Sequence, residues 1–358
     1  MPVREFVPSD IPQVVDLYWN FMAPRQRAVP EDLPDSFAEL YFSNPLVESA
    51  TPSFVYVSSS GEILGFLGVT CRRMSLSGEP VRVALGGNFV VHPKARSGFA
   101  AARLLGAYMA GNHDLLLSDS ANDVSRGIME RLGFQLIYPL SIHWSRAVRP
   151  SRYAAYFVSR KMGPKRFDAF QLATKPLCLV ADKLLSSFTP VKSLLSGTEM
   201  SSETLLECLV GFRKGYSLWP QYDLESLEWV LSFMQHRGRR GKYRRVAVHD
   251  EKQKIVGWYV YYIRPRGVAE VVQVGGVPEF SREIIRHLLR DAWEQGAIAV
   301  HGATECKKMA DLSDEGCVFT CKGGWTLAYS RRPELIEVLQ RGEGLLSRLD
   351  GEWCLDPG

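Results

Sequence analysis

Residues 88–105 of the chain read NFVVHPKARSGFAAARLL, and the fold is predicted from this stretch outward. An apolar, β-branched run ends at Pro93, small residues follow, and apolar residues then recur at helical spacing up to His113. The order strand, tight turn and helix directs several backbone N–H groups and a helix N-terminus at one point. Such a point binds anions such as phosphate, and Lys94 and Arg96 add positive charge beside it. An ordinary strand-to-helix connection without a ligand has the same spacing.

The stretch resembles the acyl-CoA-binding segment of GNAT-type N-acyltransferases. That family has Arg or Gln, two residues, Gly, one residue, and then Gly or Ala. Here Arg96 begins the pattern and Ala101 ends it, while Phe99 stands at the first glycine position and restricts φ there. The resemblance implies that the loop amides hold the pyrophosphate of coenzyme A. The implied coenzyme-binding residues are Phe89, Val91, Arg96, Ser97, Gly98, Phe99, Ala100, Ala101 and Asn122.

A second segment, residues 121–134, reads ANDVSRGIMERLGF. Asn122 or Asp123 can cap a helix at its start, and Gly133 is a typical helix stop. The segment resembles the second GNAT signature, in which an Asn precedes a Glu–basic–Leu–Gly–Phe ending. Met129 falls at the position of the family's tyrosine, which protonates the departing thiolate, and a thioether has no proton to donate.

Length and composition indicate two domains of an ordinary cytoplasmic protein. The 358 residues exceed one typical domain, and 46% hydrophobic with 23% charged residues is normal for a globular chain. A net charge of +4 is too small to indicate nucleic acid. Seven scattered cysteines favour reduced thiols over a disulfide framework. No apolar run reaches the length of a membrane span, so we expect no membrane partner.

We expect the first domain to cover residues 1–147 and to be a twisted mixed β-sheet flanked by helices, an α/β fold of the GNAT type. The pair Gly86-Gly87, inside a strand, predicts a bulge or a close backbone approach by a ligand. Residues 140–144 are expected to form the last strand of this domain.

Residues 148–202 are expected to form a basic helical linker. Arg149 and Arg152 interleave with Tyr153 and Tyr156, a pattern that can suit nucleic acid. A helical connector with a solvated basic face is the simpler interpretation.

The second half repeats the first in outline, which predicts a second GNAT-like domain over residues 203–358 with a closing helix from residue 335 to 349. The strand over 270–276 corresponds to the one ending at Val91, and the helix and strand over 284–300 correspond to 101–117. The loop between them, residues 277–282, contains Pro278 and Glu279 and has no glycine. We therefore expect no coenzyme there. Residues 352–354 are expected to pack back as a tail.

Acyl transfer from a thioester to an amine needs donors on the carbonyl oxygen and a base for the amine proton. Backbone amides near Phe89 and Val91 are the implied donors. For the base we consider Asp119, which can alternatively cap a helix, and His143, which can alternatively be a satisfied histidine of the sheet. His301 and the nearby cysteines match no common zinc spacing, so we expect no metal.

The sequence thus predicts a tandem GNAT-like N-acyltransferase that moves an acyl group from acetyl-CoA or another acyl-CoA directly to a primary amine of a small molecule or sugar. Two alternatives stay open. One is a non-catalytic acyl-CoA sensor or scaffold of the same fold. The other is a relative of transferases that move amino acids from tRNA, although nucleic acid is not the expected partner. The oligomeric state is open.

Overall fold

The computed structural model describes residues 2–22, 28–47, 51–159, 164–235, 241–264, 267–322 and 324–355. For residues 96–98, 164–172 and 186 it describes the backbone and not the side chains. The chain forms two compact units. The first contains Met1–Ser141, Gly215–Met234 and Gly323–Gly358, and the second contains Ile142–Lys214 and Gln235–Lys322.

Each unit contains one mixed β-sheet. The strands in chain order are β1 (Val3–Glu5), β2 (Phe54–Val57), β3 (Ile63–Leu76), β4 (Glu79–Val91), β5 (Leu115–Ala121), β6 (Gln135–Leu136), β7 (His143–Ala147), β8 (Ser196–Glu199), β9 (Leu218–Pro220), β10 (Lys242–His249), β11 (Ile255–Ile263), β12 (Val268–Gly276), β13 (Ala299–Ala303), β14 (Val318–Thr320) and β15 (Trp325–Tyr329).

Helices flank both sheets. They are α1 (Ile11–Met22), α2 (Leu33–Phe42), α3 (Ala100–Met109), α4 (Asp123–Arg131), α5 (Pro150–Ser159), α6 (Pro164–Leu184), α7 (Ser202–Gly211), α8 (Leu224–Gln235), α9 (Ser281–Glu294), α10 (Met309–Asp314), α11 (Pro333–Gln340) and α12 (Glu352–Leu355). Among the described helices, none combines the length and the apolar character needed to cross a bilayer.

The sheet of the first unit has the order β1-β2-β3-β4-β5-β15-β6, with β9 added to the far end of β3. All of its neighbouring strands pair antiparallel except β4 and β5, which are parallel. One side of the sheet packs on α1 and α2 through residues such as Phe37 and Phe66. The other side packs on α3 through Leu104 and Tyr108. The apolar residues at helical spacing in the opening stretch therefore form the buried face of α3.

The sheet of the second unit has the order β8-β10-β11-β12-β13-β7-β14. Its parallel pair is β12 with β13, and α9 packs on the sheet through Ile285 and Leu288. The element series β11, β12, α9, β13 repeats the series β3, β4, α3, β5 of the first unit. The predicted fold class, two GNAT-like mixed sheets flanked by helices, is confirmed.

The boundaries of the units differ from the contiguous ranges expected from the sequence. The strand expected to end the first sheet is β7, which pairs instead with β13 and β14 in the second sheet. The equivalent place in the first sheet, beside β5, is taken by β15 from near the end of the chain. Both strands are five-residue segments whose second residue is buried. Their local pattern specifies a strand and does not specify its neighbour.

The closing helix is shorter than expected. α11 ends at Gln340, and Gly342 follows in the left-handed conformation, at φ 69°. A glycine in that conformation ends a helix at little cost, so residues 343–349 continue without helical structure.

Candidate functional site

Strands β4 and β5 separate partway along their length and leave a gap between them. They pair in parallel from Val83 opposite Leu115 to Leu85 opposite Leu117, and both strands then continue without pairing to each other. The hydroxyl of Tyr108 lies at the start of the gap, 2.7 Å from the carbonyl oxygen of Ala84 and 3.0 Å from that of Leu117. Because burial raises the pKa of Tyr108 well above its usual value, this phenol holds its proton and bridges the two strands.

β4 contains a bulge where it lines the gap. Its pairing with β3 shifts between Gly68 opposite Gly87 and Phe66 opposite Val90, and Asn88 lies in the left-handed region at φ 51°. Asparagine tolerates this conformation. Its side-chain amide also donates to the hydroxyl of Tyr41 at 2.7 Å. The bulge predicted from the paired glycines is confirmed.

The carboxylate of Glu352 bridges the gap. Its Oε1 accepts a hydrogen bond from the backbone N–H of Asn88 on β4 at 2.6 Å, and its Oε2 accepts one from the hydroxyl of Ser120 on β5. A Cβ atom at Gly87 would lie 2.7 Å from Cδ of Glu352. The glycine therefore allows the close approach of this carboxylate to the strand.

The segment that carries Glu352 is anchored to the first unit on both sides of the gap. Asp119 accepts a hydrogen bond from the backbone N–H of Glu352 at 3.0 Å, so it caps the start of α12. The buried carboxylate of Asp350 accepts from the hydroxyl of Tyr222 at 2.7 Å and from the backbone N–H of Ser347 at 2.8 Å. Arg72 donates from Nε to the carbonyl oxygen of Asp350 at 3.2 Å. The expected return of the tail is confirmed.

Inside the gap lies a cavity of about 50 Å³. Pockets that enclose a whole drug-sized ligand measure roughly 300–1,000 Å³, so this cavity suits only the reacting end of a substrate. Its lining includes Gly87, Phe89, Ser120, Asn122, Met129 and Glu352.

The turn after β4 forms a 3-10 helix, Pro93–Gly98, followed at once by α3. His92 caps it, because its Nδ1 accepts from the backbone N–H of Lys94 at 3.1 Å. Phe99 then adopts the left-handed conformation at φ 59°, and its side chain is 76% exposed. The ring thus points to solvent and leaves the first turn of α3 accessible. At Phe99 the backbone therefore adopts the left-handed conformation that glycine adopts most easily.

The backbone amides of β4 alternate between its two edges. His92 donates its N–H to the carbonyl oxygen of Leu64 on β3. Val91 lies beyond the bulge, so its N–H faces the opposite edge, toward the gap. A helix N-terminus, a tight turn and strand amides directed at one gap form a site suited to a long ligand with phosphate at one end.

Solved structures with this architecture are known. A probable N-acyltransferase from Enterococcus faecalis matches with a TM-score of 0.60 at 11% identity, over 95% of this chain and 73% of that chain. N-myristoyltransferase from Saccharomyces cerevisiae with bound myristoyl-CoA matches with a TM-score of 0.56 at 11% identity, over 92% and 77%. A GCN5-related N-acetyltransferase from Anabaena variabilis matches with a TM-score of 0.59 at 8% identity, over 93% and 73%. The fold is a tandem GNAT fold. No protein-family model matches the chain, and no curated protein matches its sequence.

The tandem GNAT fold brings together the predicted coenzyme-binding residues of the first unit. Phe89 and Asn122 line the cavity, while Ala100 and Ala101 begin α3. Asn122 also caps α4, since its Oδ1 accepts from the backbone N–H of Ser125 at 2.9 Å. The backbones of Arg96, Ser97 and Gly98 belong to the 3-10 turn, and their side chains lie outside the described residues.

The two residues predicted as the base fall in different units. Asp119 is the cap of α12, and burial raises the pKa of its carboxyl, although the N–H of Glu352 and the charges of Arg72 and Arg348 oppose that shift. His143 begins β7 and belongs to the second unit, because β7 pairs in the second sheet. His143 is not among the residues that line the cavity.

Two residues of the site, Tyr108 and Glu352, are not among the predicted site residues. Tyr108 fits the apolar pattern of α3, and nothing in that pattern indicates a hydroxyl between two strands. Glu352 lies 264 positions from the backbone group that it binds. The one local signal is the sequence Asp350-Gly351-Glu352, because a glycine between two acids suggests a close approach to another part of the chain. A side chain at Gly351 would overlap the Asp119 carboxylate.

Proposed function

We propose that the protein is an N-acyltransferase that moves an acyl group from acetyl-CoA or another acyl-CoA directly to a primary amine. The observation that carries this proposal is the carboxylate of Glu352, which Asn88 and Ser120 hold between the diverging strands. A hydrogen-bonded carboxylate at the inner end of an acyl-CoA groove is suited to accept a proton from an amine.

The residues of the first unit fit the coenzyme. The 3-10 turn Pro93–Gly98 and the N-terminus of α3 would hold the pyrophosphate, with Lys94 and Arg96 supplying positive charge. The N–H groups of Phe89 and Val91 would bind the pantetheine arm along the gap and polarise the thioester carbonyl, and Asn122 would contact the arm from the other strand.

The transfer needs one proton acceptor and no covalent enzyme intermediate. The lone pair of the neutral amine attacks the thioester carbon, and the carbonyl oxygen gains negative charge that the β4 amides stabilise. Glu352 takes the proton that the amine loses. The tetrahedral intermediate then collapses, the C–S bond breaks, and the amide and the coenzyme A thiolate are the products.

The thiolate leaves without a tyrosine in this proposal. Met129 carries no acidic proton. The hydroxyl of Tyr108 donates its hydrogen bond to two backbone carbonyl oxygens, so its proton is not directed at the thiolate. A coenzyme A thiolate is a far better leaving group than an alkoxide, so it can leave without being protonated. It then takes a proton from solvent or from Glu352.

We further propose a cytoplasmic location and a small-molecule or sugar amine as the acceptor. None of the seven cysteines, all of them among the described residues, forms a disulfide bond, which supports a reducing compartment. The small cavity supports an acceptor whose amine reaches Glu352 at the end of the gap.

The experiment is release of coenzyme A thiol from acetyl-CoA with a panel of primary amines. Glu352→Gln keeps a side chain of the same shape and removes the proton acceptor, so we expect a loss of about 100-fold or more in kcat with coenzyme affinity retained. Glu337→Gln, an exposed change on α11, is the matched control and should keep full activity.

Three results would count against the proposal. If acetyl-CoA raises the melting temperature but no amine in the panel releases thiol, the sensor is the better interpretation. If aminoacyl-tRNA binds and acetyl-CoA does not, the protein is better interpreted as a relative of transferases that move amino acids from tRNA. If Glu352→Gln retains normal turnover, the base is another group.

A further inference from the structure

The helices α5 and α6 of the second unit carry an unusual share of the exposed apolar surface. Half of the large apolar side chains that the described residues expose lie between residues 157 and 194. On α6, Leu177, Val180 and Leu184 are 75%, 61% and 81% exposed, and Leu194 beyond it is 82% exposed. Large exposed apolar patches on proteins mark surfaces that bind a partner.

The three residues Leu177, Val180 and Leu184 form one stripe, which we name the α6 stripe. Their spacing of three and four positions places them on one side of the helix. The opposite side of α6 carries the polar contacts. Asp182 accepts from the hydroxyl of Ser151 on α5 at 2.6 Å and pairs with Arg152 at 3.0 Å. On the part of α6 whose side chains are described, Asp182 therefore faces α5 while the three apolar side chains of the stripe face away from it.

Positive charge accompanies the α6 stripe. Residues 146–195 contain ten Lys or Arg and two Asp or Glu, a net charge of +8, so the rest of the chain carries a net charge of −4. Lys183 is exposed on α6, three positions after Val180 and next to Leu184, so it lies at the edge of the stripe. Long lysine side chains beside an apolar stripe can place their ammonium groups among anionic head groups while the stripe enters the apolar layer.

We propose that the α6 stripe lies on an anionic lipid surface and holds the protein there reversibly. A second copy of the chain is a poorer occupant, because joining two surfaces of the same strong positive charge is unfavourable. The sequence led us to expect no membrane partner, since no segment is long enough to span a bilayer. A helix can lie at the membrane–water interface with one apolar side, and it need not be long enough to cross the bilayer.

The test uses the full chain and sedimentation with vesicles. We expect the protein to bind vesicles of phosphatidylglycerol mixed with phosphatidylcholine at least about tenfold more strongly than vesicles of phosphatidylcholine alone, with weaker binding at high salt. Replacing the stripe together, by Leu177→Gln, Val180→Gln and Leu184→Gln, should reduce binding about tenfold or more, and Lys183→Glu at its edge should weaken binding to the anionic vesicles.

The matched control combines Val124→Gln and Val318→Gln, two valines that are 74% and 67% exposed elsewhere on the protein. It should bind vesicles like the wild type. All the replaced residues are exposed, so circular dichroism and melting should match the wild type for every variant.

Several results would overturn the proposal. They are equal binding to both kinds of vesicle, no binding to either, or undiminished binding by the stripe variant. Light scattering that finds a wild-type dimer and a monomeric stripe variant would assign the α6 stripe to contact between copies instead. A soluble acidic protein that binds while vesicles do not would assign it to a protein partner. None of these measurements depends on acyl transfer.

Discussion

The segment from β4 to α3 in the first unit and the segment from β12 to α9 in the second have the same construction and different chemistry. Each has a bulged strand, a 3-10 turn that begins with proline, a helix, and a parallel strand beside the first. At the last paired position before the strands separate, the first unit has Leu85 and Leu117, and the second has Glu270 and His301.

The second unit uses that position for a polar network of its own. Glu270 lies 3.5 Å from Nδ1 of His301, and Nε2 of His301 lies 2.6 Å from the hydroxyl of Tyr153 on α5. In the first unit the equivalent leucines pack into the core beneath α1 and α2. The comparison shows that the repeated backbone carries different side chains at equivalent positions, so the two copies offer different chemistry there.

The largest expected effect is on coenzyme affinity, and it distinguishes the turn before α3 from the turn before α9. Gly98→Glu places a carboxylate in the turn that we propose for the pyrophosphate, so acetyl-CoA affinity should fall by about 100-fold or more. Glu279→Gln in the second turn should leave affinity and a stoichiometry of one coenzyme per chain unchanged. Isothermal titration calorimetry measures both. Equal effects of the two substitutions would remove the assignment of the coenzyme to the first unit.

The next effect distinguishes a glycine that lies beside the proposed base from one that lies beside a core side chain. Gly87→Ala should displace the flexible carboxylate of Glu352 and lower kcat about tenfold or more, while the free energy of unfolding changes little. At Gly275 the new methyl group would overlap the buried ring of Trp258, so Gly275→Ala should cost about 1–3 kcal/mol of stability and leave the kcat of the folded protein unchanged. Urea unfolding and thiol release measure the two quantities. The reverse pattern would contradict the site.

A smaller effect concerns pH, and its sign is opposite in the two units. Burial raises the pKa of Asp119, so the folded state holds a proton that the unfolded state has lost above pH about 3.9, and stability falls as pH rises through the raised value. Burial lowers the pKa of His287 on α9, so stability falls as pH drops below about 6.5 toward the lowered value.

Asp119→Asn should flatten the first dependence, and His287→Gln should flatten the second, as measured by melting temperature across pH. Asn keeps an oxygen that can accept from the N–H of Glu352, so Asp119→Asn should also keep most of the activity. A loss as large as that of Glu352→Gln would instead identify Asp119 as the base.

The smallest effect concerns the two phenylalanines that precede α3 and α9. Phe99 holds a left-handed backbone, so Phe99→Gly relieves strain of about 1 kcal/mol and loses a similar amount to the flexibility of the unfolded chain. We expect a change of less than about 1 kcal/mol. Phe280, at φ −103° and packed on its core, gains no such relief, and Phe280→Gly should destabilise by about 1–3 kcal/mol. Differential scanning calorimetry compares them, and equal losses would contradict the strain at Phe99.

The tandem arrangement and the bulged strand with its phosphate-type turn were predictable from the sequence because they depend on local pattern. Gly86-Gly87 marked the bulge, and the spacing of Leu104, Leu105 and Tyr108 marked α3. The exchange of strands between the two sheets was not predictable, because β7 and β15 are both short strands and a local sequence does not specify the neighbour of a strand. The base that we propose, Glu352, was not predictable either, since it reaches its partners through the return of a tail.

By itself, the sequence determined the order of strands, turns and helices, the repetition of that order, and the turn that can receive an anion. Periodicity and turn chemistry act between near neighbours in the chain, so they are visible in one dimension. The tertiary structure decided which strand completes each sheet and which carboxylate enters the gap. Those choices depend on packing and hydrogen bonds between residues more than 150 positions apart, and no local pattern records them.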